Sequence, residues 1–314
     1  MIPSKKELLK AADRIAPYVH KTPVLTSNLL NELCKCNIYF KCENFQRAGS
    51  FKIRGAVNAI MKLSEEEKKN GVVTHSSGNF AQALSLAATS LGIRSYVIMP
   101  KSAPEVKKQA VEHYGGEITL CKPTLQARKE TAAKIQKEKK ATLIHSSNNT
   151  DVIIGQGTAG IELLNEHPNL NYIFIPVGGG GLIAGNALAA NYFGKNCKVI
   201  GVEPLEADDA YRSLKSGKIE SNHTTNTIAD GLKTQLGDKN FPIIKKHVSD
   251  IIRVTEEEII EALKLIYERM KIIIEPSSAV AFAGLVKNKS FFSNKKVGVI
   301  LSGGNIDLKT FSFG

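Results

Sequence analysis

A lysine set between apolar residues, a run of four glycines and a late Ser-Gly-Gly triplet carry most of the chemistry legible in this chain. Lys52 lies in Ser50-Phe51-Lys52-Ile53-Arg54-Gly55-Ala56. Phe51 and Ile53 would strip water from its amine, lower its pKa and free it to form a Schiff base with an aldehyde. A surface lysine at a helix start is the ordinary alternative. Gly178, Gly179, Gly180 and Gly181 follow the apolar run 172–177. A glycine loop after a strand offers bare backbone N–H groups to a phosphate. Ser302-Gly303-Gly304 closes the apolar run 296–301, where a small hydroxyl can reach a ligand at a strand's carboxyl end. An aldehyde and a phosphate on one small molecule describe pyridoxal 5'-phosphate (PLP), the cofactor these residues predict.

Two further segments bear on the same site. In His75-Ser76-Ser77-Gly78-Asn79-Phe80 a strand ends and a helix begins, so N–H groups and short hydroxyls converge on an anion, here a substrate carboxylate. A plain helix cap is the simpler reading, but two serines, a glycine and an asparagine exceed what one cap needs. Glu203-Pro204-Leu205-Glu206-Ala207-Asp208-Asp209 could take a hard cation through oxygen, although an acidic stretch is more often solvated. A different class of enzyme competes. Gly179-x-Gly181-x-x-Ala184 fits the dinucleotide fingerprint, with Glu203 at about the 20-residue spacing of a ribose ligand. Against a nicotinamide-dependent dehydrogenase, four consecutive glycines exceed that fingerprint, and Lys52 and Ser77 are left without a role. A non-catalytic ligand-binding module is the third reading.

These residues need a framework that brings distant segments together. Short β-branched runs alternate with amphipathic stretches. Strands are expected at 38–41, 71–74, 95–99, 117–120, 142–144, 172–177, 198–202, 251–254 and 296–301. Several are near-continuous apolar runs, suited to burial on both faces. Thr255-Glu256-Glu257-Glu258 and Ser64-Glu65-Glu66-Glu67 read as capping boxes. Ser102-Ala103-Pro104-Glu105 reads as a helix start with proline in the first turn, and 56–63 as helical. Such alternation predicts an α/β fold of mostly parallel twisted sheets flanked by helices. The tight strand–helix spacing between 71 and 144 predicts a small lobe inserted into a larger one.

The bulk composition agrees with an enzyme. The chain has 314 residues, 42% apolar and 23% charged, enough for a large core. Its net charge of +12 is spread over lysines that often sit beside glutamates, with aromatics at 6% and no tryptophan. That pattern argues against nucleic acid and for a solvated basic surface that steers anionic ligands. Five cysteines, without metal-site spacing, read as reduced thiols. The absence of a long apolar run and of a signal-peptide core predicts no membrane association and a cytoplasmic protein.

Asn44-Phe45-Gln46 with the Lys52 segment, Ser76-Ser77-Gly78-Asn79, Gly155-Gln156-Gly157-Thr158, the four glycines and Ser302-Gly303-Gly304-Asn305 occur in one order. Together they resemble the fold-type II PLP enzymes (tryptophan synthase β-like), and within them the serine racemase and serine–threonine dehydratase group, from about residue 15 to 308. The resemblance implies a large PLP-binding domain of 1–70 and 149–314 and a small substrate-binding domain of 71–148. It implies that Lys52 holds PLP, Gly178 to Gly181 cradle its phosphate, Asn79 contacts the ring hydroxyl and Ser302 faces the pyridine nitrogen. A serine there leaves that nitrogen largely unprotonated, a weaker electron sink suited to prompt elimination or reprotonation. Ser76, Ser77, Gly78, Asn79 and Arg128 would bind the substrate.

Racemisation needs a base on one face of Cα and an acid on the other, and Lys52 and Ser77 would supply them. The family's racemases carry serine at the position of Ser77, where typical threonine dehydratases have alanine. Glu203, Asp209 and the Ala207 carbonyl match a Mg2+ (or Ca2+) site. The expected activity is racemisation of serine with β-elimination to pyruvate and ammonia. The alternative on the same scaffold is a threo-3-hydroxyaspartate or threonine ammonia-lyase. A homodimer and a nucleotide activator come with the resemblance. Phe80 stands where the family usually has histidine, so an imidazole near the substrate carboxylate is expected to be lost. With the sequence ending at Gly314, the regulatory domain of biosynthetic threonine dehydratases is expected to be absent.

Overall fold

Runs of β-branched and aromatic residues become two separate sheets, each flanked by helices. The computed structural model describes residues 2–308. Its strands are β1 (Val24–Leu25), β2 (Asn37–Cys42), β3 (Val72–Thr74), β4 (Ser95–Pro100), β5 (Gly116–Cys121), β6 (Thr142–Leu143), β7 (Tyr172–Pro176), β8 (Lys198–Pro204), β9 (Val248–Val254) and β10 (Lys296–Leu301). Six form one sheet in the order β1-β2-β10-β7-β8-β9, and four form the other in the order β5-β4-β3-β6. Every pairing is parallel except β1 with β2. The fold is therefore α/β, with crossover helices covering sheet faces. All nine expected strands are present. β1 was missed because two residues leave no periodicity to read.

Local signals account for some helix starts and fail at others. The Ser64 and Thr255 hydroxyls accept the N–H of Glu67 and Glu258, whose carboxylates reach back, completing both capping boxes. The third start is corrected: helix Glu105–His113 has Pro104 itself at the N-cap and no side-chain cap, so proline precedes the first turn. The helix expected at 56–63 instead spans Lys52–Met61. Its start is set by tertiary structure, since the Phe51 N–H donates to the Ser302 carbonyl at 3.1 Å.

Gly155 and Gly157 act as a packing device on two faces of helix Thr150–Glu166. A Cβ on Gly155 would lie 2.5 Å from the Arg54 carbonyl, and one on Gly157 would lie 2.5 Å from the Gly185 carbonyl. The helix is thus pressed against the Lys52 helix on one side and against Gly181–Phe193 on the other. Gly157→Ala is expected to cost about 1–3 kcal/mol, because backbone cannot yield as a flexible side chain can. A lower urea midpoint at unchanged slope would register it; an unshifted midpoint would show that the helices separate freely.

Two residues beyond Lys52, Arg54 is fully buried and pairs with Glu43 at 2.7 Å and Glu162 at 2.6 Å. Lys41, also fully buried, pairs with Glu162 at 2.6 Å. Two cations against two carboxylates leave the cluster neutral, and its hydrogen bonds fix the first turn of the Lys52 helix in one geometry. All five cysteines are free thiols, four of them buried. Among the described residues no helix is long and apolar enough to cross a membrane.

Candidate active site

The carboxyl ends of β3, β6, β7 and β10 carry the loops that meet around Lys52, as parallel sheets place their ligands. Lys52 is half-buried, its amine 4.7 Å from the centre of the Phe51 ring. Burial lowers the amine to about 8, and the nearby Glu275 carboxylate pulls part of the way back. Glu275 is the main group that sequence reasoning missed. It is 4% exposed, and burial pushes its carboxyl up to about 7. In sequence it looks like an ordinary residue ahead of a proline-started helix, Pro276–Lys287, and nothing local announces its burial.

Asn79 opens helix Asn79–Ser90. Its amide Nδ2 donates to both Glu275 oxygens at 2.9 Å, and its Oδ1 accepts from Asn305 Nδ2 at 3.0 Å. The carboxamide cannot turn over, because flipping would set donor against donor and acceptor against acceptor. Ser302 is buried beside Ser278, with the hydroxyls 3.3 Å apart, and the Ser278 hydroxyl also accepts the Gly303 N–H at 2.8 Å. Ser50 and Gly303 form an antiparallel bridge, and the Gly304 N–H donates to Gly49 at 2.9 Å. The Glu275 N–H donates to the Gly303 carbonyl at 3.0 Å, which ties Asn79 and Ser302 into one network beside Lys52.

Gly178 to Gly181 run from β7 into the N-terminus of helix Gly181–Phe193, whose N-cap, Gly180, has no side-chain cap and a φ of +79°. The first-turn N–H groups lack intrahelical acceptors and face outward. A Cβ on Gly179 would fall 2.4 Å from the Ser147 hydroxyl, and one on Gly178 would fall 2.7 Å from Leu232 Cα. Asn240 Nδ2 holds the loop through the Gly179 carbonyl at 2.8 Å. The Ser147 hydroxyl is buried and has no hydrogen-bond partner. An orphaned donor beside a side-chain-free cradle at a helix N-terminus fits a phosphate, and the desolvated Lys52 amine fits an aldehyde.

Ser76, Ser77, Gly78 and Asn79 are half-buried in the turn between β3 and the Asn79 helix. A Cβ on Gly78 would meet nothing within 4 Å, so the turn borders open space. Arg128, on helix Leu125–Lys139, has a buried and unpartnered Nε, and its charge reaches His75 beside that turn. Phe80 is 1% exposed and packs with Ile53, Ala56 and Ile60. Its ring belongs to the core under the Lys52 helix.

The acidic stretch is not solvated. Glu203 and Asp209 are fully buried. Glu203 accepts the N–H groups of Ala210 and Tyr211 at 3.1 and 2.8 Å, which leaves it unsuited to a dinucleotide ribose. Burial, then the neighbouring Asp209, raises Glu203 well above the carboxylate range, and burial pushes Asp209 up to about 6. Asp209 Oδ1 has no partner. Two buried carboxylates with a spare oxygen and the buried Ala207 fit a hard cation. Among the described residues no three His, Cys, Asp or Glu side chains converge as a metal site, so a cation here would rest on two side chains and a carbonyl.

Fold and site together define a PLP-dependent enzyme. Residues 15–303 match the family described as pyridoxal-phosphate dependent enzyme, and the chain belongs to it. It is 51% identical over 312 residues to a serine racemase of Dictyostelium discoideum, covering 98% of this chain and 96% of that protein. It is 46% identical over 307 residues to a beta-hydroxyaspartate dehydratase of Paracoccus denitrificans, covering 98% of each. The solved structure of maize serine racemase superposes with a TM-score of 0.96 at 42% identity, covering 99% of this chain and 96% of that one.

Proposed function

We propose that this protein is a PLP-dependent serine racemase that also eliminates water from serine to give pyruvate and ammonia. The observation that carries the reading is the Lys52 amine, lowered to about 8 by burial and close to Glu275, the carboxylate that Asn79 of the Ser76–Asn79 turn holds through two hydrogen bonds. Bound PLP supplies the electron sink that acidifies Cα. Gly178 to Gly181 and the Ser147 hydroxyl hold its phosphate, Asn79 its ring hydroxyl, and Ser302 its ring nitrogen. Ser76, Ser77, Gly78 and Asn79 orient the substrate carboxylate. Lys52 moves the Cα proton on one face, and the Ser77 hydroxyl serves the other.

The deciding experiment is a chirally resolved assay with L-serine, following D-serine and pyruvate together. D-Serine with pyruvate supports the two-base site. Pyruvate alone makes the protein a dehydratase. One observation favours a second reading, a 3-hydroxyaspartate ammonia-lyase: the unpartnered Arg128 Nε could take a second substrate carboxylate.

The same reading includes Mg2+ (or Ca2+) on Glu203, Asp209 and the Ala207 carbonyl. A cation there would relieve the repulsion between two buried carboxylates and order the loop beside the cradle. Asp209→Ala is expected to weaken Mg2+ activation about tenfold or more. In the unsubstituted protein, half-saturation should tighten as pH rises from about 6 upward, because the cation binds deprotonated carboxylates and burial raises both Asp209 and Glu203. Unchanged chelator sensitivity in Asp209→Ala would overturn the ligand set. The two sheets support a lobe division at 1–70 with 149–314 against 71–148. A homodimer, a nucleotide activator and a cytoplasmic setting complete the proposal.

A further inference from the structure

β3 and β6 are parallel neighbours, with Val72 opposite Thr142 and Val73 opposite Leu143. Their carboxyl ends therefore deliver His75 and His145 side by side. The rings meet edge to face, with centroids 5.8 Å apart and planes at 82°. His145 differs from its neighbour in one respect. Its Nδ1 accepts two backbone N–H groups, from Ser147 at 3.2 Å and Asn148 at 3.0 Å. A ring nitrogen that accepts carries no proton, so the neutral ring must bear its hydrogen on Nε2. Charging the ring would break both bonds.

The surroundings work the same way. Burial, then His75, Lys52 and Lys129, hold the imidazole at about 4, with Arg128 acting on His75 from beyond. Each of these opposes a positive charge on the ring.

We propose that His145 is a neutral hydrogen-bond donor of fixed tautomer, and that it presents Nε2–H to the side-chain oxygen of the amino-acid substrate. The proposal rests on the functional reading above. In that reading the α-carboxylate belongs to the Ser76–Asn79 turn and Cα to Lys52. The remaining polar group of a β-hydroxy amino acid is its β-oxygen. His145 stands at the end of the neighbouring strand, close enough for the Lys52 charge to act on it. A neutral donor suits a hydroxyl or carboxylate oxygen and transfers no proton. His145 is thus a specificity residue for substrates that carry an oxygen on Cβ.

Two variants separate this role from mere support of the loop. In His145→Asn the amide oxygen can replace Nδ1 and keep both backbone bonds, but no donor reaches the place of Nε2–H. In His145→Gln an N–H returns to that place. Holoenzyme would be titrated with L-serine and with L-alanine, following the absorbance change of bound PLP. The unsubstituted protein should prefer L-serine about tenfold, the worth of one buried hydrogen bond. His145→Asn should lose that preference, and His145→Gln should recover part of it. A preference that survives in His145→Asn overturns the donor role. Independently, 15N NMR of the imidazole should show the Nε2–H tautomer unchanged between about pH 5.5 and 8.5, the range in which an ordinary histidine titrates. A ring that titrates there overturns the fixed tautomer. If the unsubstituted holoenzyme binds neither amino acid, the functional reading fails and the substrate contact with it, while the NMR result still decides the state of the ring.

Discussion

Lys52→Ala should abolish racemisation and elimination together, by about 10^4-fold or more, since both lose their proton-transfer group. It should also leave PLP removable by dialysis, because the amine that fixes the aldehyde is gone. The physical basis is the half-buried position of the amine. Burial lowers it to about 8 against a partial pull from Glu275, so near neutral pH a usable fraction of Lys52 is an uncharged nucleophile. The sign of the pH dependence follows. Uptake of PLP by cofactor-free protein should quicken as pH rises toward about 8 and level off above it, with no further climb toward 10.5. Residual activity in Lys52→Ala within a hundredfold of the unsubstituted protein would remove Lys52 from the centre of the mechanism. Uptake still rising steeply above pH 9 would show that its amine is solvated.

Ser77→Ala should divide the two activities. Racemisation is expected to fall about 10^2- to 10^4-fold, the usual worth of one general acid or base, while elimination stays within a few-fold. Elimination needs the Cα proton taken from one face only, and Lys52 still takes it. Inversion needs a proton delivered to the opposite face, the role proposed for the Ser77 hydroxyl, which lies in the half-buried turn bordering open space at Gly78. The measurement is D-serine and pyruvate formed from L-serine under one set of conditions. Equal loss of both products would assign Ser77 to carboxylate binding alone. Retained racemisation would hand the second face to another group or to water.

Much of the site could be read along the chain, because each piece is a local pattern. A lysine between Phe51 and Ile53, four glycines after an apolar run and a Ser-Gly-Gly turn need no knowledge of what lies opposite them. The strands were equally legible, since burial on both faces demands continuous apolar runs. The Lys52 helix begins four residues before its apolar pattern suggests, because its start depends on a hydrogen bond to Ser302 and not on a local cap. Phe80 is turned into the core by the Asn79 helix, which no local pattern announces.

By itself the sequence determined the cofactor class, the order of the chemistry-bearing segments and the parallel α/β architecture, all of which follow from residue types and spacings of a few positions. Tertiary structure alone decided which groups surround those segments. Glu275 and Asn79 are hydrogen-bonded across 196 residues of chain, and Asn305 and Asn79 across 226. The orphaned Ser147 hydroxyl beside Gly179 likewise arises where remote loops converge. Burial and hydrogen-bond pairing set a group's charge state and orientation, and both depend on neighbours that the chain brings near only by folding.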